Sequence, residues 1–308
     1  MQLKNLFFAA VAPLTFLACS SDDTAPATAE ATGTPILLSS SVGDVTRAAT
    51  NIQNDKLDQK TVVDVQIVDK NDKGTGAPTT YDLLKYQVTD AGGTLSPVKK
   101  INPYYPTSGS KVDIYAVYPE GNLDVGYFEI QPTQLGKDAY KASDLMFAKV
   151  EDQEAQQGAV KLNFKHLMSK VVVKLIKGPN GENIKKSTVN LLNIATKINL
   201  AGRGQLGTVD EASRSTIQMS TDGSVTSAAI IVPQSVPKGV LIEVLLANND
   251  IVNYETVQDV PFESGKVYTY NITVVESKLQ VKTEVKDWIE TEDQAQDTTL
   301  DDNFTGEE

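Results

Sequence analysis

An all-β chain built from antiparallel sandwiches or barrels is what this sequence predicts, on three observations. Short runs of alternating apolar and polar residues recur from residue 60 onward. Clusters of Gly, Pro, Asn and Asp break these runs at intervals of about 8 to 12 residues, the spacing of sandwich and barrel strands. No long amphipathic helical pattern is present. The length of 308 residues suits two domains, each able to bury a core.

The first element is an N-terminal segment with Lys4 as its positive end and residues 6–18 apolar except for Pro13 and Thr15. A membrane span needs about 20 apolar residues, so this shorter run reads as a signal h-region. Ala18 and then Cys19, the single cysteine of the chain, follow it. The arrangement resembles a bacterial lipoprotein signal, with Cys19 as the lipidated residue; Phe16 and Leu17 are bulkier than the usual choices. An ordinary secretory signal cut after Ala18 is the competing reading. Either way no second thiol exists, so no disulfide or thiol chemistry supports the mature fold. Residues 20–34 are small and polar and read as a tether.

A strand-like piece at 36–45, interrupted by Gly43 and Asp44, opens the folded part. The run at 61–68 places Val63, Val65 and Ile67 on one face, and 71–76 reads as a turn. Alternation continues at 84–88 and 111–118, with a turn at 90–93 between them and Pro119 as a stop. Residues 144–150 are read as a helical turn, and the charged, Gln-rich stretch 149–158 as a linker. Strands are expected at 160–164, 170–175, one or two within 188–200, and at 228–232, 239–247, 266–274 and 279–285. The acidic end beyond Glu290 is expected to be mobile.

Chemistry is thinly supplied. The net charge of -12 argues against a nucleic-acid partner, because phosphate binding needs a positive surface. His166 is the single histidine, which rules out zinc sites and triads that use more than one imidazole; a packed, hydrogen-bonded residue is the expected role. Gly202, Gly204 and Gly207 have the spacing of a dinucleotide loop, but no convincing helix follows and no βαβ pattern surrounds them, so a turn is expected. The acidic residues at 290–293 and 301–302 lack the spacing of a calcium loop. No catalytic residue, metal ligand or cofactor-binding residue is assigned, and the chain is not read as an enzyme. Two short stretches, Asp23-Thr24-Ala25 and Asp297-Thr298-Thr299, look like the O-glycosylation sequon of Bacteroidia, and the polar residues after Cys19 are similar to a surface-export signal.

The order of features along nearly the whole chain resembles the fimbrillins, the subunits of type V pili in Bacteroidia. The carriers are Cys19 in its lipobox; the strand-like 36–45 ending in Thr46-Arg47-Ala48; Ser143-Asp144-Leu145-Met146-Phe147-Ala148; the stretch 162–173; Ile231-Val232-Pro233-Gln234; Gly265-Lys266-Val267-Tyr268-Thr269-Tyr270-Asn271; and Trp288. The resemblance implies two tandem transthyretin-like antiparallel β-sandwich domains. The division expected is signal peptide 1–18, lipidated propeptide with tether and first strand 19–47, N-terminal domain 48–158, C-terminal domain 159–289 and acidic tail 290–308. It also implies export to the cell outer membrane on a lipid held by Cys19, then cutting between Arg47 and Ala48 by an Arg-specific, trypsin-like protease.

Three arginines are present: Arg47, Arg203 and Arg214. Of these, Arg47 alone lies between a strand-like segment and the first domain body. Loss of a strand leaves unpaired backbone groups and apolar side chains, which a strand from another subunit can fill. The resemblance places the donor in the C-terminal region, after Val285. Head-to-tail donation does not close and so yields a filament. A filament subunit of the stalk, tip or an accessory position, supporting adhesion to a host or bacterial surface ligand, is the leading expectation. The alternative is a permanently anchored surface lipoprotein that binds glycan or host protein, with Tyr104-Tyr105 as its best exposed aromatic pair. A hydrolase on a β-sandwich is the third.

Overall fold

The computed structural model describes residues 33–42, 57–71, 81–179, 184–221, 225–275 and 278–288. Its first part contains β1 (Leu38–Val42), β2 (Val62–Asp69), β3 (Tyr81–Val88), β4 (Thr94–Pro97), β5 (Val112–Tyr118), β6 (Tyr127–Glu129), the helix α1 (Lys137–Ala142), β7 (Met146–Gln153) and β8 (Val160–His166). The second part contains β9 (Ser169–Lys177), β10 (Thr188–Ala195), β11 (Lys197–Leu200), β12 (Leu206–Val209), β13 (Arg214–Gln218), β14 (Ser220–Thr221) and β15 (Thr226–Ile231). It ends with β16 (Gln234–Val236), β17 (Gly239–Leu245), β18 (Ile251–Thr256), β19 (Val260–Phe262), β20 (Lys266–Val275) and β21 (Lys278–Asp287). The fold is all-β, as the alternation predicts.

Seven strands close into a barrel in the order β1-β4-β3-β2-β5-β7-β8. The closure is made by β1, antiparallel to β4 and parallel to β8. Every second residue of the barrel strands points inward: Val63, Val65 and Ile67 from β2 and Val160, Leu162 and Phe164 from β8 are at most 3% exposed. In the second part, a four-stranded sheet (β13-β10-β17-β18) and a five-stranded sheet (β14-β15-β9-β20-β21) enclose a separate apolar core. Leu191 and Ile242 enter that core from the first sheet, and Val171, Ala229 and Ile272 enter it from the second. This is a sandwich, in which two apolar sheet faces bury each other.

The two parts are sewn together by residues of the first half. β6 pairs with β11, placing Phe128 opposite Ile198, and Phe128, Ile130, Tyr140 and Leu145 all belong to the sandwich core. The Gln134 side chain, fully buried, donates Nε2 to the Ile230 carbonyl at 2.7 Å and accepts from the Ile230 N–H at 2.9 Å. A buried amide that has both ends paired avoids the cost of an unsatisfied polar group.

Two expectations are corrected. Residues 149–158 are not a linker: β7 runs through Gln153, and β8 pairs with both β7 and β1 in the same barrel. Sheet membership changes between His166 and Ser169 instead. The polar composition there reflects the outer end of β7, where Glu151 and Asp152 are exposed. Nor do residues 144–150 form a helical turn; the helix lies earlier, and Met146 and Ala148 alternate inward as strand residues. The stretch 36–45 is a strand over the shorter span of β1, and 43–45 fall outside the described residues.

Burial makes alkaline pH destabilising. Tyr86 and Tyr140 are each 1% exposed, and desolvation raises both phenol pKa values above the usual 10.0. Above about pH 10 the unfolded tyrosines ionise while these stay protonated, so the folded state binds more protons and stability falls as pH rises. The urea midpoint should drop between about pH 9 and pH 11, and Tyr86→Phe should lessen the drop.

Candidate functional site

The feature with functional consequence is the seat of the N-terminal strand. Ile36, Leu38, Ser40 and Val42 point into the barrel, none more than 6% exposed. They meet β8 in register: Leu38 opposite Val160, Ser40 opposite Leu162 and Val42 opposite Phe164. On the other side Leu38 faces Leu95. The Val160 N–H donates to the Leu37 carbonyl at 2.8 Å, and the Ser40 N–H donates to the Gly93 carbonyl at 2.7 Å. Ser41 Oγ donates to Asn163 Oδ1 at 3.2 Å. Gly93 has φ +84, and a Cβ on it would stand 2.3 Å from the Ser40 carbonyl oxygen. Only glycine allows the inserted strand to pass so close.

Before β1 the chain stays docked. Ile36 N–H donates to the Pro103 carbonyl at 2.8 Å, and Tyr105 N–H donates to the Thr34 carbonyl at 2.9 Å. Tyr104-Tyr105, expected as an exposed aromatic pair, is therefore the seat of residues 34–36. Tyr105 is 4% exposed, and Tyr104 is partly covered with its N–H held by the Tyr81 hydroxyl. Removing everything up to residue 42 would uncover Tyr104 and Tyr105, and also the apolar faces of Leu95, Val160, Leu162 and Phe164. A groove of that kind, with free backbone groups on β4 and β8, is ready for another strand.

Cys19, Arg47 and Ala48 lie outside the described residues, as do the acidic residues at 290–293 and 301–302. The other two arginines lie within the described residues, in different surroundings. Arg214 is held by Glu211, the Asn193 and Ser235 carbonyls and Gln234 Oε1, with its side chain 16% exposed. Arg203 sits in a tight turn closed by the Ala201 N–H to Gln205 carbonyl bond, with its guanidinium 4.4 Å from the Tyr115 ring centroid. Nicking favours exposed, loosely held loop tips: Arg214 is covered, whereas Arg203 is exposed and is restrained by its turn and by Tyr115. The glycine spacing at 202–207 belongs to this same turn: Gly204, at φ +73, lies flat against the Phe147 ring. It clasps the barrel and makes no helix terminus for a phosphate.

His166 is a packed residue, as expected. Its Nδ1 lies 2.8 Å from Asp144 Oδ1, and the two side chains are 0% and 1% exposed. Its ring stacks on Trp288 at 3.9 Å and 2°. Lys170, 8% exposed, holds its Nζ 5.6 Å from the Trp288 ring, and desolvation lowers its pKa against the opposing pull of Asp144. Among the described residues this cluster is buried, and it ties the end of β8 to the residue after β21. Among the described residues no group of three His, Cys, Asp or Glu side chains could hold a metal ion, and no helix is long and apolar enough to cross a membrane.

The fimbrillin-like family model matches residues 46–288. The chain belongs to the fimbrillin-like family. The fimbrillin-like match starts at Thr46, next to Arg47, so β1 precedes it, and it ends on Trp288. A candidate cell adhesion protein from Bacteroides ovatus has a similar solved structure: TM-score 0.65, 20% identity, covering 84% of this chain and 99% of that one. Another, from Bacteroides uniformis, gives TM-score 0.63 and 20% identity over 82% of this chain and 98% of that one. Both likenesses concern the fold. No curated protein matches the chain significantly.

Proposed function

We propose that this chain is a structural, non-enzymatic subunit of a type V pilus at the surface of the outer membrane. It is exported as a lipoprotein on Cys19. An Arg-specific protease cuts it between Arg47 and Ala48, β1 leaves with the lipid, and a strand from the C-terminal region of a neighbouring subunit takes its place. Repetition of that step builds a filament, because each subunit gives a strand at one end and receives one at the other. Adhesion to a host or bacterial surface ligand is the service we assign to the filament, in keeping with the description of both solved neighbours as candidate cell adhesion proteins.

One observation carries this reading: β1 is a fully inserted barrel strand that precedes the family match, five residues upstream of Arg47. The held, largely covered side chain of Arg214 and the tight turn around Arg203 support Arg47 as the cut site. The anchored-binder alternative loses its best aromatic candidate, Tyr104-Tyr105, which is covered by the N-terminal segment.

Digestion of the folded full chain with an Arg-specific protease tests the cut site. Mass spectrometry should show one new terminus, at Ala48, with the bonds after Arg203 and Arg214 intact. Cutting at either of those two before Arg47 would count against the reading.

A further inference from the structure

The sandwich has an open edge at β18. This strand ends the sheet β13-β10-β17-β18 and is laddered on one side, to β17. Among the described residues no strand pairs with its other side. The hairpin leading into it fixes which backbone groups face outward. There the Leu246 N–H donates to the Asp250 carbonyl at 2.8 Å. Bonded and non-bonded pairs alternate along an antiparallel ladder, so Val252 and Tyr254 turn their backbone groups to β17. Ile251, Asn253 and Glu255 turn theirs to the outer edge.

Exposed edges are commonly guarded by lysine or proline. β21, at the end of the opposite sheet, carries Lys278, Lys282 and Lys286. β18 is Ile-Val-Asn-Tyr-Glu-Thr, with neither residue type. Val252, Tyr254 and Thr256 are at most 6% exposed, whereas Ile251, Asn253 and Glu255 face solvent. The two most exposed large apolar side chains among the described residues stand at its ends: Ile251 at 58% and Val257, the next residue after the strand, at 69%. Leu245, opposite Ile251 on β17, is exposed beside it.

This order of side chains is complementary to itself. An antiparallel copy centred on Tyr254 sets Ile251 against Val257 of the copy and Asn253 against Glu255 of the copy, and the twofold axis repeats both pairs. The Asn253 amide then meets a carboxylate, as the Asn190 amide already does in the same sheet, where its Nδ2 donates to Glu243 Oε1 at 2.9 Å. Neighbouring registers are worse. Centring on Asn253 sets Ile251 against Glu255, and centring on Glu255 sets two carboxylates face to face, which is destabilising.

We propose that β18 is a self-association edge, at which two copies of this chain join antiparallel about Tyr254 and their four-stranded sheets become one. A join along a six-residue strand buries less than the about 1,200 Å² of a standard interface, so a single join is weak. The edge belongs to the sandwich and leaves β1 in its seat, so the inference does not depend on strand exchange. Filaments of such subunits would carry the edge many times over, and weak joins between filaments lying side by side would then add up.

Sedimentation equilibrium of the uncut full chain tests the edge. A dimer should appear at concentrations on the order of 100 μM. Asn253→Pro removes one outward N–H, leaves the ladder to β17 intact and should weaken the dimer about tenfold or more. Asn253→Glu should also weaken it, by setting carboxylates opposite each other, and adding Glu255→Lys should restore it. A chain that stays monomeric would overturn the proposal. A dimer indifferent to both Asn253 variants would overturn it too, since the contact would lie elsewhere. Failure of the charge pair to restore the dimer would overturn the Tyr254 register. Because the chain is uncut, these outcomes are separate from the success or failure of strand exchange.

Discussion

Replacing Arg47 by Ala leaves full-length, lipidated chains on the cell and no filaments made from them. The effect should be near total, because it acts on a switch rather than on a binding energy. While β1 is in place its three inward residues and Ile36 before it are buried, and the ladders to β4 and β8 leave no gap for a second strand. Exchange by an intact β1 would require release of a strand that is still covalently part of the chain, and such a strand returns faster than any partner arrives. Immunogold microscopy and blotting of surface fractions read the result. Arg203→Ala and Arg214→Ala are the controls, and both should still be trimmed and assembled. Filaments of normal abundance from Arg47→Ala cells would remove the protease step.

Trp288→Ala should cost about 3–5 kcal/mol of folding stability, the range for removing a large buried aromatic. Trp288 is 6% exposed and stacks face to face on His166, while its backbone N–H, which the variant keeps, donates to the Gly265 carbonyl at 2.8 Å. Its loss opens the buried His166–Asp144 pair and the Lys170 ammonium to water, and it unpins the end of β21 from the end of β8. The damage should therefore spread to both parts of the fold. Trp288→Phe keeps an aromatic face and should recover most of the loss. Urea unfolding followed by tyrosine fluorescence measures both variants. A cost under about 1 kcal/mol for Trp288→Ala would show that the stack contributes little.

The strands that were legible are those whose alternation spans seven or more residues, such as β2, β5, β8, β9 and β20. β8 and β20 bury one face, so composition and burial carry the same period, while β2 and β5 bury residues of both faces and keep the alternation in their composition. The strands that escaped notice are short or lack apolar contrast. β4 is Thr-Leu-Ser-Pro with a single buried residue, and β6 has three residues, of which Phe128 alone is buried. These are also the strands that matter for the site: β4 forms one wall of the β1 groove, and β6 joins the barrel to the sandwich. α1 has six residues with Tyr140 as its one buried side chain, too few turns to show a 3.6-residue period. The misread linker at 149–158 has a different cause, since a strand end that pairs without burial looks like a loop in composition. The N-terminal strand was visible as an apolar run. That it closes a barrel was not, because parallel pairing with β8 joins residues more than 120 positions apart, and no local pattern records so distant a contact. Tyr104-Tyr105 was misjudged for the same reason, its cover being the distant segment 34–36.

The most direct measurement is the N-terminal residue of this chain when isolated from filaments sheared off the cell surface. Strand exchange predicts Ala48, with no lipid attached and residues 19–47 absent. A chain that begins at lipidated Cys19 within intact filaments would contradict it.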